Sequence, residues 1–191
     1  MTNNENKEIF KSRLKMAISN SCKELTSKEH KISYNEGKNI TNQVRNVFIG
    51  YIGFTPKEID GACDMALIFI APSMKEKKLL IKKIVAGVGS TAALAAIITG
   101  VGLALGWGTG IVAAVIAYFT GISLLGPVAW ISAGAIIAVL AGYFYFSSTD
   151  ESEAEQFEKA LTGGVEKAID EIWNQYGERI GEKIQKENRI S

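Results

Sequence analysis

The chain has 191 residues, of which 47% belong to the apolar set AVILMFWYC and 21% are charged, and its formal net charge is +1. This composition excludes a disordered chain, a disulfide scaffold and a highly charged nucleic-acid binder, so no nucleic-acid partner is expected. The charge is very uneven. Residues 1–83 carry net +6, residues 84–149 contain no charged residue, and residues 150–191 carry net −5.

These boundaries predict three parts: a charged N-terminal helical module (1–83), a charge-free apolar membrane region (84–149) and an acidic amphipathic C-terminal helix (150–191). The predicted fold class is all-α, with amphipathic helices flanking a Gly/Ala-rich apolar hairpin or a three-helix membrane region. The apolar residues of the last part recur mostly at steps of four, which is typical of a helix docked along one narrow stripe.

The N-terminal module carries local helix signals. Apolar residues from Phe10 to Leu25 recur at three- and four-residue steps, which predicts a first amphipathic helix. Ser33 and Glu36 have the spacing of a capping box, and Gly53 is well placed to end the helix that they open. Thr55-Pro56-Lys57-Glu58 then predicts a third helix, with Thr55 as its N-cap.

A basic cluster lies at the end of this module. It contains five lysines in nine residues: Lys75, Lys77, Lys78, Lys82 and Lys83. One interpretation is a solvated juxtamembrane anchor that keeps the N-terminus cytoplasmic. The other is attraction to anionic lipid, which contributes about 1 kcal/mol per basic residue near a membrane surface.

The apolar region is too long for one membrane span, which needs about 20 residues. Glycine-rich breaks at Gly106–Gly110 and at Gly126-Pro127 divide it into segments 84–105, 111–125 and 127–146. The middle segment is short for a crossing, so two and three crossings both remain open. The aromatic residues near the segment ends favour a membrane interface. They are Trp107, Trp130, Tyr143 and Tyr145.

Small residues recur in this region at steps of four, a pattern typical of closely packed helices in lipid or in a bundle core. The rows contain Ala92, Ala96, Gly100, Ala104 and Gly108, and also Gly134, Ala138 and Gly142. Gly102 and Gly106 form a GxxxG pair. We expect these rows to pack helices against one another and to support a homo-oligomer.

Residues for catalysis are scarce. His30 is the single histidine, and the two cysteines, Cys22 and Cys63, have no metal-site spacing. Residues 87–92 match GxGxxA, but the acidic residue that a dinucleotide site needs about 20 positions later is missing. We therefore expect no enzyme activity, no metal site and no cofactor.

The layout resembles the pore-forming domains of colicin-type toxins, in which a helical bundle hides an apolar hairpin that inserts into a bilayer. The resemblance rests on the apolar residues 84–146, on the turn Gly126-Pro127 and on the lysine-rich segment 75–83 that precedes them. No residue-level motif accompanies it. It implies a membrane-localised protein that oligomerises to perturb or permeabilise a bilayer, with a soluble form before insertion. The alternative is a resident membrane scaffold, immunity or regulatory protein that binds a protein partner through its N- and C-terminal amphipathic helices.

Overall fold

The computed structural model describes residues 2–26, 32–88, 90–125 and 152–190. Within these ranges the chain forms α-helices and no strand, which confirms the all-α prediction. The helices are α1 (Asn3–Thr26), α2 (Tyr34–Ile52), α3 (Lys57–Ile70), α4 (Met74–Gly87), α5 (Thr91–Ala104), α6 (Thr109–Leu125) and α7 (Glu153–Ile190).

The local signals of the N-terminal module determine the ends of α2. Ser33 and Glu36 form the predicted capping box, in which the Glu36 N–H donates to Ser33 Oγ and the Ser33 N–H donates to Glu36 Oε2, at 3.3 and 2.8 Å. Gly53 ends the helix with φ 91°, a left-handed conformation that suits glycine. Pro56, and not the predicted Thr55, is the N-cap of α3.

The core is built around α3 and α7. Nine of the fourteen residues of α3 are buried, because it packs against α2, α4, α5 and α7. Helix α7 also packs against α1, α2 and α5. Helix α7 continues without a break through Gly163 and Gly164. Their missing side chains let the backbones of α5 and α3 approach α7 closely.

The prediction of a membrane-inserting or membrane-resident protein is wrong. Among the described residues, no helix combines the length and the apolar character needed to cross a membrane. The expected span 84–105 is divided, because α4 ends at Gly87 and Ser90 caps α5 through a hydrogen bond from the Ala93 N–H. Helix α5 has 14 residues, so it is about 21 Å long, against a hydrocarbon core of about 30 Å.

The charge-free sequence of α5 serves a different purpose, which is burial inside the bundle. Leu94, Ile97, Ile98 and Val101 are each at most 3% exposed and belong to the same core as α3 and α7. A helix buried within a protein is apolar for the same reason as one buried in lipid. The third expected span, 127–146, lies outside the described residues.

Candidate functional site

A polar concavity lies between α2, α3 and α4, and we call it the charged cleft. Its volume is about 600 Å³. Three cationic and three acidic side chains line it: Lys38, Arg45, Lys83, Asp60, Asp64 and Glu76. Tyr34 and the leucines of α3 and α4 supply its apolar surface. The cleft therefore offers both signs of charge beside apolar surface.

Arg45 is held in one orientation by groups from two helices. Its Nε donates to Asp60 Oδ1 at 2.7 Å, and Nη2 donates to Asp64 Oδ1 at 2.8 Å. Nη1 donates to Thr41 Oγ1 and to Asn42 Oδ1, at 3.2 and 3.3 Å. Charge-assisted bonds from a planar guanidinium fix geometry better than a single ammonium contact would. Arg45 thus joins α2 to α3 at the wall of the cleft.

Burial raises the pKa of Asp64 above its usual value, although Arg45 and Lys83 act in the opposite direction. Burial also raises the pKa of Tyr34, and the nearby Glu76 and Asp64 carboxylates add to the effect. Lys38 Nζ lies 4.4 Å from the centroid of the Tyr34 ring, within the range of a cation–π contact. The cleft is therefore a coupled set of charges, in which a charged ligand would change the protonation of its neighbours.

The solvent face of α4 forms one rim of the charged cleft. Four exposed residues follow one another along this face at steps of three, one and three positions. We call them the basic ridge, and they are Lys75, Lys78, Leu79 and Lys82. Leu79 is 54% exposed. Lys83 is exposed and Lys77 is half-buried. The lysines predicted to precede a membrane span thus belong to an amphipathic helix of the bundle.

The small residues singled out in the sequence have different surroundings. Gly100 faces Gly163 of α7, and Gly102 faces Trp107 and Val112. Ala96 and Ala104 are half-buried. The other small residues of these rows that the structure describes are exposed, and so are the glycines of the predicted break at 106–110. These exposed residues are Ala92, Gly106, Gly108 and Gly110.

Trp107 is 5% exposed and its ring lies 6.4 Å from that of Phe69, so it belongs to the core and not to a membrane interface. The remaining predicted site residues lie outside the described residues. They are Gly126, Pro127, Trp130, Gly134, Ala138, Gly142, Tyr143 and Tyr145. Over the ranges that are described, no group of three or more His, Cys, Asp or Glu side chains is placed to hold a metal ion.

The Arg45, Asp60 and Asp64 group was not predicted from the sequence. One signal for it exists, because Asp60 and Asp64 are four residues apart and share a face of α3. What the sequence lacks is the docking of α2, which brings Arg45 onto that face.

The fold is that of an all-α helical bundle with a charged cleft between three of its helices. No protein-family model, curated protein or solved structure matches the chain. A functional conclusion therefore depends on the geometry of this site alone.

Proposed function

We propose that the protein is a non-enzymatic interaction module that binds an acidic, partly apolar segment of a partner protein. The binding surface is the basic ridge of α4 together with the adjoining charged cleft. The observation that carries this proposal is the exposure of Leu79 in the middle of three exposed lysines. An acidic segment with apolar side chains complements both features.

Two charges of the ridge, those of Lys75 and Lys78, are available to a partner. Among the described residues, neither Lys75 nor Lys78 has a carboxylate within ion-pair distance. An acidic segment would thus gain new charge pairs at Lys75 and Lys78 without breaking an existing ion pair of either residue. Such pairs steer association and select partners more than they add affinity.

A protein segment fits this surface better than a nucleic acid does. Asp60, Asp64 and Glu76 line the cleft directly beside the ridge, and their carboxylates would repel a continuous phosphate backbone. A peptide can alternate charged and apolar side chains, so it can place acidic groups on the lysines and an apolar group on Leu79. The net charge of +1 is also small for a protein that binds nucleic acid.

The test is selection of binders from a random-peptide display library on the full chain. We expect the selected peptides to be rich in Asp and Glu with interspersed Leu or Phe. Binding should fall about tenfold or more in the Lys75→Glu/Lys78→Glu double variant, because attraction becomes repulsion. The matched control is Lys15→Glu/Lys23→Glu, which changes two exposed lysines of α1 by the same charge and should bind as the wild type does.

Two outcomes would overturn the proposal. One is a set of binders without acidic enrichment, or with equal affinity for the ridge variant and the control variant. The other is that a DNA duplex or anionic lipid vesicles bind in a ridge-dependent way while no peptide does. Salt titration supplies a further check, because ridge-dependent binding should weaken as ionic strength rises.

A further inference from the structure

The residues that line the charged cleft recur at helical spacing along both of its walls. Helices α2 and α4 both pack against α3, and Asp64 and Leu67 of α3 lie at the base, where they are 14% and 3% exposed. On α2 the lining residues follow at steps of four, four and three: Tyr34, Lys38, Asn42 and Arg45. On α4 they follow at steps of three, one, three and four: Glu76, Leu79, Leu80, Lys83 and Gly87. The cleft is therefore a groove that runs along two helices.

The length of this groove corresponds to about three turns of helix. The lining of each wall spans eleven residue steps, which is about 16 Å at a rise of 1.5 Å per residue. A helix laid along such a groove meets it with residues at i, i+3 or i+4, and i+7, and it satisfies its own backbone hydrogen bonds. An extended segment finds no such support, because the described part of the chain contains no strand whose edge it could join.

Basic side chains lie on both rims of the groove, while acidic ones lie at its base. Lys38 is exposed on the α2 rim, and Lys83 is exposed on the α4 rim beside the basic ridge. At the base, Asp60 and Asp64 accept the hydrogen bonds of Arg45. Acidic groups of a partner are therefore attracted to the two rims and repelled by the base.

Apolar surface lies on both walls between the rims. Leu79 is 54% exposed and belongs both to the basic ridge and to the groove. Tyr34, on the opposite wall, is half-buried. Glu76 also lines the α4 wall, but its Oε2 is engaged at the start of the helix, where it accepts a hydrogen bond from Ser73 Oγ at 2.8 Å. The groove thus suits an uncharged face between two acidic rows.

We infer that the groove binds an amphipathic α-helix of about three turns, whose uncharged face contacts Leu79 and Tyr34 and whose acidic residues flank that face on both sides. One acidic row pairs with Lys83 and the basic ridge, and the other pairs with Lys38 across the groove. The inference rests on the proposed function, to which it adds the conformation of the partner segment and a second rim for its charges.

The experiment adds the unlabelled full chain to a ¹³C-labelled peptide that has leucines at i, i+4 and i+7 and glutamates on both sides of them. A free peptide of about four turns is only marginally helical, so its Cα resonances should shift to helical values when it binds. A scrambled peptide of the same composition and charge should bind about tenfold more weakly, because it cannot present an uncharged face. A central proline should weaken binding about as much, because it breaks the helix.

Variants of the full chain place the bound helix in the groove. Lys38→Glu should weaken binding of the leucine–glutamate peptide about fivefold, because attraction at one rim becomes repulsion. The matched control is Lys15→Glu, which makes the same charge change at an exposed position of α1 outside the groove and should bind as the wild type does. The effect of Lys75→Glu/Lys78→Glu should add to that of Lys38→Glu, because the two variants act on opposite rims.

The inference is overturned if the bound peptide shows extended Cα shifts, or if the scrambled peptide binds equally well. The proposed function survives that result when the ridge variant still weakens binding. Equal affinity of Lys38→Glu and Lys15→Glu would also overturn the inference, because the helix would then lie outside the groove. Helical binding that depends on Lys38 and not on the ridge would support the groove and overturn the proposed function. If no peptide binds, both are overturned.

Discussion

Gly100 of α5 and Gly163 of α7 lie so close together that a β-carbon on either residue would overlap the carbonyl oxygen of the other. The contact is reciprocal and joins two backbones directly. It explains how a short apolar helix can be buried against a long charged one. The glycine row identified in the sequence therefore contributes a contact within one chain.

Replacing Gly163 with alanine should destabilise the fold. The added carbon would overlap the Gly100 carbonyl oxygen and lie 2.6 Å from Ala104 Cβ, so α5 and α7 must move apart. We expect the free energy of unfolding, measured by urea denaturation, to fall by about 1–3 kcal/mol.

The matched control is Gly50→Ala in α2, where an added β-carbon meets no atom within 4 Å. There alanine should raise the free energy of unfolding by about 0.5–1 kcal/mol, because helical glycine is entropically costly. Equal effects at the two positions would show that the Gly100–Gly163 contact does not limit stability.

Leu79 and Leu80 allow stability and binding to be separated. Leu80 is 4% exposed and Leu79 is 54% exposed. Leu80→Ala should lower the free energy of unfolding by about 2–5 kcal/mol, because it leaves a cavity. Leu79→Ala should change it by no more than about 0.5 kcal/mol while weakening the peptides selected on the basic ridge. Thermal denaturation and peptide titration on the same samples provide the comparison.

Asp64 and Asp170 should make opposite contributions to the pH dependence of stability. Burial raises the pKa of Asp64 in the folded state. Burial also acts to raise the pKa of Asp170, but hydrogen bonds from Lys11 and Lys7 outweigh it and lower this pKa. The stabilising contribution of Asp64 is therefore present below pH 3.8, the ordinary pKa of the group. It is lost as pH rises through the folded-state pKa. The stabilising contribution of Asp170 is present above pH 3.8, its ordinary pKa. It is lost as pH falls through the folded-state pKa.

The measurement is the free energy of unfolding of the wild type and of each Asp→Asn variant between about pH 3 and pH 7. The difference between the wild type and Asp64→Asn should decrease as pH rises, and the difference for Asp170→Asn should increase. Parallel slopes for the two variants would contradict the assigned environments.

The two thiols should be unreactive in the folded protein. Cys22 is 1% exposed and Cys63 is fully buried, and burial raises the pKa of each thiol to about 12. The thiolate is the reactive form, so a chromogenic disulfide reagent at pH 8 should modify neither thiol within minutes. In denaturant it should modify both. Rapid modification of Cys63 in native buffer would show that α3 opens locally.

The parts of the fold that were predictable depend on neighbours in sequence. Ser33, Glu36 and Gly53 define α2 through interactions within a few residues, so their pattern is sufficient. The Arg45 bonds to Asp60 and Asp64 join two helices, and no local pattern specifies how those helices dock. The charged cleft was therefore missed.

The membrane interpretation failed for a related reason. A helix without charges is compatible both with a lipid environment and with a protein core, so composition alone cannot distinguish a membrane span from a buried helix. The distinguishing detail is local: Ser90 accepts a hydrogen bond from the Ala93 N–H and starts a new helix, which divides the expected span. Recognising Ser90 as an N-cap would have given two short helices in place of one long one.

The position of α7 has a consequence for synthesis on the ribosome. Helices α1, α2, α3 and α5 all pack against α7, so a nascent chain cannot complete their shared core until residues 153–190 have emerged. Until then the apolar faces of α3 and α5 lack the cover that α7 supplies, and the contacts of α1 and α2 with α7, across more than a hundred residues, cannot form. Such an intermediate exposes apolar surface and is prone to aggregation.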